Sequence, residues 1–287
     1  MAASHPLDDF LLQRMRDGNI SSTALVVTFF CDVVTQHVGE IWLGNIIRAL
    51  APLGINERLT RTSVFRLVQD GWLESRKQGR RSYYRLTRTG ENYYQRAAQR
   101  IYSSHQPEWD GGWSLLFTSL VPEEKRDALK RGLSWQGFGQ MAPGVYALPS
   151  NKDQALDELL NDLGLNDTIV QMQAKSHDTE LLKKLVLSRW KLNDLQDMYQ
   201  TFVSQYHEVL ETLHNGKPRD GHSMFLLRIL LIHEYRRILL RDPELPDEML
   251  PENWEGHIAR TLTADLYREL LSPTTDWVNH DLLKSVD

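Results

Sequence analysis

Cysteine is almost absent from this chain, which has one among its 287 residues. Cys31 by itself can form neither an intrachain disulfide nor a thiolate-rich metal site. Long apolar runs are also missing, because ALVVTFF and FLLRILLI are far shorter than the ~20 residues that span a membrane. The start of the sequence lacks the basic-then-apolar order of a secretory signal. We therefore expect a cytoplasmic protein without disulfides and without a membrane partner.

Motifs of the common enzyme classes are missing as well. The sequence contains no GxSxG element, no Walker loop and no dinucleotide-binding fingerprint. The segment IHEYRR begins like a zinc motif, but an arginine stands four residues after His233, where the motif needs a second histidine. We therefore interpret His233 as a packed or surface histidine, and we expect no catalysis, no cofactor and no metal ion.

Charge, in contrast, is present and unevenly distributed. The whole chain has a net charge of -5, yet residues 1–105 hold 14 basic against 9 acidic residues. Within residues 55–100 the count is 11 basic against 4 acidic. A local basic patch attracts phosphate groups, while an acidic body discourages indiscriminate binding. A solvated helix face with a charged hairpin tip would give the same counts, so charge alone does not decide.

The pattern around the basic patch is more specific. Three segments predict helices, and the third of them has Asn56 as a plausible N-cap and Gly71 at its end. Two strands follow, WLESR and SYYRL, with Gly79 in the turn between them. The three predicted helices are SSTALVVTFFCDVV, GEIWLGNIIRALAPLG and INERLTRTSVFRLVQDG.

The third predicted helix is amphipathic. At about 100° per residue, Val64, Leu67 and Val68 share one face with Thr60, and Gln69 lies on the other face with basic residues. A basic third helix followed by a basic hairpin is the order of a winged helix-turn-helix, whose third helix enters the major groove of double-stranded DNA. The hairpin could instead contact another protein, and this alternative stays open. The residues predicted to contact DNA are Arg58, Arg61, Thr62, Ser63, Arg66, Arg76, Lys77, Arg80 and Arg81.

The remainder of the chain divides into two further regions. Strands alternate with helices in residues 106–190, which predicts a small ferredoxin-like α/β domain. Residues 191–287 predict a helical C-terminal domain, which we expect to bind an effector or form a dimer, with the apolar MFLLRILLIHEYRRILL in its core. The predicted winged-helix domain comprises residues 20–105. The three regions together give an expected fold class of α+β with several domains.

Seven long motifs occur along the chain, namely GEIWLGNIIRAL, RTSVFRLVQDGWL, GRRSYYRLT, QPEWDGGW, WQGFGQMAPGVYALP, IHEYRRILLRDPELPDEMLP and WEGHIAR. Together they resemble the PaaX family, the transcriptional repressors of the phenylacetic acid degradation operon. The resemblance runs from about residue 20 to 271, and it implies a winged-helix domain, a central domain similar to small CRISPR-associated nucleases and a helical C-terminal domain. It also implies repression of phenylacetate catabolism genes, relieved by phenylacetyl-CoA.

The resemblance to a nuclease raises the possibility of catalysis. Nuclease relatives carry a metal-binding acidic residue at the end of their first strand, where this chain has Ser119 and Leu120. Glu123 and Glu124 follow Pro122 and fit the first turn of a helix, where anions suit the helix dipole. A metal-dependent nuclease is therefore the less favoured alternative to a repressor.

An effector site follows from the resemblance, but the residues locate it only loosely. A CoA thioester needs Arg or Lys for its phosphates and an apolar slot for its phenyl ring. A different acyl-CoA or aromatic effector stays possible, and the same side chains could simply fill cores or pair with acidic neighbours. A homodimer is also expected, since one recognition helix reads too few base pairs for selectivity. The effector candidates are Trp135, Tyr235, Arg236, Arg237, Trp254, His257 and Arg260.

Overall fold

The computed structural model describes residues 6–16, 20–102, 109–149, 154–176, 179–216 and 220–283. The chain forms two compact units. The first unit comprises Met1–Ser103, Phe202–Arg237 and Ile258–Asp287, and the second comprises Ser104–Thr201 and Ile238–His257. No helix in the described ranges is long and apolar enough to cross a membrane.

The N-terminal part of the first unit is a set of helices followed by an antiparallel hairpin. The predicted N-cap at Asn56 is confirmed, because its side chain accepts a hydrogen bond from the Leu59 amide at 2.9 Å. The Ser21 hydroxyl caps the helix that begins at Ser22, where it accepts a hydrogen bond from the Ala24 amide at 3.4 Å. The elements are α1 (Pro6–Arg16), α2 (Ser22–Phe29), a π-helical turn (Phe30–Val34), α3 (Thr35–His37), β1 (Ile41–Trp42), α4 (Leu43–Leu50), a 3-10 turn (Ala51–Leu53), α5 (Glu57–Gln69), β2 (Leu73–Gln78), β3 (Arg81–Leu86) and α6 (Arg88–Tyr102).

The sheet of the first unit has the strand order β1-β3-β2, with both pairings antiparallel. The sequence assigned the residues of β1 to the second helix. Ile41 and Trp42 instead pair with Tyr84 and Tyr83 of β3 before α4 begins. A two-residue strand has no periodicity of its own, so only its partner strand identifies it.

The second unit contains a four-stranded antiparallel sheet in the order β5-β6-β4-β7. The chain order βαββαβ with the first strand in the interior of the sheet is the ferredoxin-like arrangement that the sequence predicted. Leu116 of the sheet packs with Leu133, Leu156 and Leu160 of the two helices in one core. The elements are β4 (Gly112–Phe117), α7 (Glu123–Trp135), β5 (Gly139–Ala142), β6 (Val145–Leu148), α8 (Gln154–Leu163), β7 (Val170–Lys175) and α9 (Thr179–Arg189).

The C-terminal part of the chain is helical, as expected. Its most apolar segment forms a buried helix, and Phe225 of that helix meets Phe29 of α2 at a ring-centroid distance of 6.2 Å. The elements are α10 (Leu192–Asn215), α11 (Gly221–Leu239), a 3-10 turn (Asp247–Met249), α12 (Glu255–Trp277) and a π-helical turn (Val278–Leu282).

One ion pair lies inside the core of the first unit. Arg228 of α11 is 0% exposed and donates to the Asp32 carboxylate from Nε at 2.8 Å. Its guanidinium also donates to the Asp32 backbone carbonyl at 2.8 Å and to the Tyr267 hydroxyl at 2.9 Å. A buried charge is stable only when it is paired and hydrogen-bonded, and this network meets that condition. It connects the π-helical turn after α2 to α11 and α12.

The N-terminal helix α1, which the sequence analysis did not predict, packs onto the same core. Leu7 and Leu11 are buried, and Arg14 forms an ion pair with Glu234 of α11 at 2.6 Å. The segment has 11 residues, and an isolated helix of this length is marginal in water without a packing partner.

Candidate nucleic-acid interface

The helix α5 has one buried and one exposed face, as its periodicity predicts. Thr60, Val64 and Leu67 are buried, and α5 packs against α2 and α4 on this side. The opposite face is mainly polar and basic, and its exposed residues include Arg58, Arg61, Thr62, Arg66 and Gln69. The N-cap at Asn56 fixes where α5 begins, and Gly71, with φ 73°, allows the chain to turn into the hairpin.

The three arginines of this face differ in their partners. Arg61 forms an ion pair with Glu57 one turn earlier, at 2.7 Å from Nη2 to Oε1. Arg58 and Arg66 have no side-chain hydrogen bond or ion pair to any other described residue, and they stand out in solvent. These two guanidinium groups can therefore meet an anionic ligand without first giving up a carboxylate.

Ser63 does not belong to this face, and its burial argues against the predicted contact with DNA. It is 2% exposed, and its hydroxyl lies 3.0 Å from the Ser22 hydroxyl and 3.3 Å from that of Thr23. Ser63 falls on the side of α5 that packs against α2, because it lies three residues after the buried Thr60 and four before the buried Leu67. Its polar group therefore serves the contact between two helices.

The β2–β3 hairpin, which follows α5 in the sequence, carries further cations. Gln78 pairs with Arg81, which leaves Gly79 and Arg80 as the two residues of the turn. Gly79 has φ 61°, a left-handed conformation that glycine adopts without strain and that suits a two-residue hairpin turn. Lys77 and Arg80 are exposed at this tip.

Two arginines of the hairpin are held by neighbours. Arg76 donates to both carboxylate oxygens of Glu40, at 2.5 Å and 3.3 Å, and this hydrogen bonding lowers the pKa of Glu40 below its usual value. Arg81 is half-buried, and its guanidinium carbon lies 4.7 Å from the centre of the Trp42 ring. The cation–π contact orients Arg81 and leaves its charge intact.

Trp42 is a part of this surface that the sequence analysis did not single out. It pairs with Tyr83 across the sheet, and its ring covers the backbone of Gly44, where an added Cβ would approach the ring to 2.5 Å. The WLG triplet was the available signal, because a tryptophan two residues before a glycine can fold over it. The contact fixes the Trp42 ring against which Arg81 lies.

The candidate effector residues are divided between the two units. In the first unit Tyr235 is buried, with its ring 5.7 Å from Phe202, whereas Arg237 is exposed and Arg236 and Arg260 are partly exposed. The burial of Tyr235 favours the interpretation that it fills the core.

In the second unit Trp254 is also buried, with its ring 5.6 Å from that of Tyr199, and it too fills a core. His257 is exposed and lies 3.3 Å from the Asp247 carboxylate. The side chain of Trp135 lies outside the described residues.

The histidine of IHEYRR is packed, in agreement with the sequence interpretation. His233 is buried, and its Nδ1 lies 3.3 Å from the Thr28 hydroxyl. Burial, assisted by the positive charges of Arg236 and Arg237, lowers its pKa to about 4. Within the described ranges no group of three or more His, Cys, Asp or Glu side chains is placed to hold a metal ion.

The end of the first strand of the ferredoxin-like sheet has no acidic side chain. Thr118, Ser119 and Leu120 follow β4, and Leu120 is exposed. Glu123 and Glu124 lie in the first turn of α7, as predicted from the preceding proline.

Comparison with known proteins gives one consistent result along the whole chain. Three family models match in order: PaaX-like protein at residues 21–90, PaaX protein central Cas2-like domain at 106–186, and PaaX-like protein C-terminal domain at 190–280. The chain is 35% identical over 268 residues to the transcriptional repressor PaaX of Escherichia coli strain K12, covering 92% of this chain and 85% of that protein.

A solved structure is also similar. It is the uncharacterized protein Rv0674 from Mycobacterium tuberculosis, with a TM-score of 0.57 and 22% sequence identity. The match covers 87% of this chain and 96% of that one. At this identity the similarity shows a shared fold.

Proposed function

The chain belongs to the PaaX family, and on that premise we propose that it is a transcriptional repressor that binds double-stranded operator DNA. In this proposal α4, α5 and the β2–β3 hairpin act as a winged helix-turn-helix. The observation that carries it is the exposed face of α5, where Arg58 and Arg66 have no ion-pair partner among the described residues. The helix would enter the major groove with this face.

The cations that have no carboxylate partner among the described residues and those that have one would contribute differently to DNA binding. Arg58 and Arg66 can donate to guanine edges or to phosphates at no cost in protein contacts. Lys77 and Arg80 at the hairpin tip suit the phosphate backbone or the minor groove. Arg61 and Arg76 are already paired with Glu57 and Glu40, so a phosphate must compete for them. Binding to any duplex should weaken with salt, because each phosphate contact releases counterions.

We also infer that the repressor acts as a homodimer on a palindromic or nearly palindromic site. One recognition helix reads only a few base pairs, too few for selectivity in a genome. Two-fold symmetry doubles the contacts and sets the half-site spacing near a multiple of one helical turn.

The regulated genes and the effector are proposed from the family alone. The E. coli relative is named a transcriptional repressor. We propose that the genes are those of phenylacetate catabolism and that phenylacetyl-CoA releases the repressor, with another acyl-CoA or aromatic effector as the alternative. Exposed Arg237 and partly exposed Arg236 and Arg260 are the candidates for its phosphates. A repressor works where the chromosome is, which supports the expected cytoplasmic location.

Fluorescence anisotropy with duplexes selected from a random pool tests DNA binding. The variant Arg58→Ala/Arg66→Ala should bind at least tenfold more weakly and show a shallower salt dependence, since two charged contacts are lost. Arg131→Ala is the matched control, because Arg131 is an exposed helical arginine of the second unit. Equal affinity of the double variant and the wild type would contradict the proposed interface. The same mixtures with Mg²⁺ show whether DNA is cut.

A further inference from the structure

Phe65 stands at the centre of the exposed face of α5. It is 63% exposed, although the helix buries four other residues on its opposite side. At about 100° per residue, Phe65 lies level with Arg58 and Gln69 and points away from the buried Val64 and Leu67. A single exposed apolar residue is common on protein surfaces. Phe65 differs because it lies in the middle of a polar, basic face.

The neighbours of Phe65 define the chemistry of its surroundings. Arg58 and Arg66 beside it have no ion-pair partner among the described residues, so the face attracts an anionic surface. Thr62, three residues before Phe65, donates its hydroxyl proton to the Arg58 backbone carbonyl at 2.9 Å. With this proton already used, Thr62, one turn before Phe65, can offer a ligand its methyl group or an acceptor oxygen.

We propose that Phe65 contacts the 5-methyl group of a thymine and thereby determines part of the operator sequence. The proposal rests on the proposed function, because it requires α5 to lie in the major groove. Base edges in that groove present hydrogen-bonding groups, and thymine alone adds an apolar group. A phenyl ring neither donates nor accepts such bonds, so burying it against a thymine methyl is the favourable contact available there.

The test removes only the methyl group. In a duplex selected for tight binding, each thymine in turn is replaced by deoxyuridine, which lacks the 5-methyl group and keeps the same hydrogen-bonding edge. For the wild type, replacing one particular thymine in each half-site with deoxyuridine should weaken binding roughly fourfold per half-site, because one buried methyl group is lost. Phe65→Ala should bind the thymine and deoxyuridine duplexes equally well.

Two further variants separate this effect from a change in folding. Phe65→Leu keeps an apolar side chain on the helix and should retain part of the thymine preference. Leu181→Ala removes an equally exposed apolar side chain, 63%, from α9 of the second unit and should keep the full preference.

The possible outcomes distinguish this inference from the proposed function. The inference about Phe65 is wrong, while the repressor proposal stands, if the wild type binds selected DNA but no replacement of thymine with deoxyuridine weakens binding. The same holds if such a replacement weakens the binding of Phe65→Ala as much as that of the wild type. A change in the oligomeric state of Phe65→Ala without a change in thymine preference would assign Phe65 to a protein contact and overturn the inference. If the wild type selects no duplex at all, the proposed function itself fails.

Discussion

Replacing Arg228 with methionine should destabilise the first unit strongly. Methionine retains much of the volume but removes the charge, so Asp32 stays buried without its cation. Four hydrogen bonds are lost, to the Asp32 carboxylate, to its backbone carbonyl, to the Gln36 side chain and to the Tyr267 hydroxyl. Removing one partner of a buried ion pair costs about 3–5 kcal/mol. That is a large share of a total stability of roughly 5–15 kcal/mol.

The measurement must resolve the first unit, because unfolding of a chain with two units need not be two-state. Hydrogen exchange of the amides of α2 and α11 provides this, with the amides of β4 and β6 as an internal reference in the second unit. We expect exchange in α2 and α11 to accelerate by the factor that corresponds to about 3–5 kcal/mol. Exchange in β4 and β6 should change much less.

Two companion variants show whether the unpaired charge is the cause. In Asp32→Asn/Arg228→Met both charges are gone, and the asparagine can still accept the hydrogen bond that Tyr267 donates at 3.0 Å. This double variant should be more stable than Arg228→Met alone. Arg268→Met breaks an exposed pair with Asp265 on α12 and should cost less than about 1 kcal/mol. The reasoning is refuted if Arg228→Met costs no more than Arg268→Met, or if the double variant is the least stable.

Glu40→Gln should strengthen binding to every duplex, because Arg76 loses its carboxylate partner and can contact a phosphate. The salt dependence of binding should steepen by about one phosphate contact, which fluorescence anisotropy over a salt series measures. His233 has a pKa lowered to about 4, so its contribution to stability is present above about pH 6.5 and is lost as the pH falls towards 4. Relative to His233→Asn, the wild type should lose about 1.4 kcal/mol per pH unit in that window, measured by urea denaturation followed through the amides of α2 and α11 in the first unit. Arg237→Ala should bind operator normally but should no longer be released by phenylacetyl-CoA. Calorimetry compares the binding of phenylacetyl-CoA, CoA and free phenylacetate, and a phosphate contact is excluded if free phenylacetate binds as tightly as the thioester.

Local chemistry made much of the fold predictable. Asn56 and Gly71 mark the ends of α5 because capping and left-handed turns depend on one or two residues. The exposed face of α5 follows from helical periodicity, and the βαββαβ order follows from alternating patterns in residues 106–190. The division of the chain into three domains and the effector site stay predictions.

Tertiary structure decided the features that depend on partners far away in the chain. Asp32 and Arg228 are 196 residues apart, and no local pattern shows that an arginine in an apolar helix meets a carboxylate in another. The same holds for Arg76, whose charge is available or paired according to where Glu40 lies. The basic face of α5, in contrast, could be predicted from the sequence, since helical periodicity is a local property. Only the three-dimensional contacts show which residues of α5 face solvent without a partner among the described residues and which, like Ser63, pack against another helix.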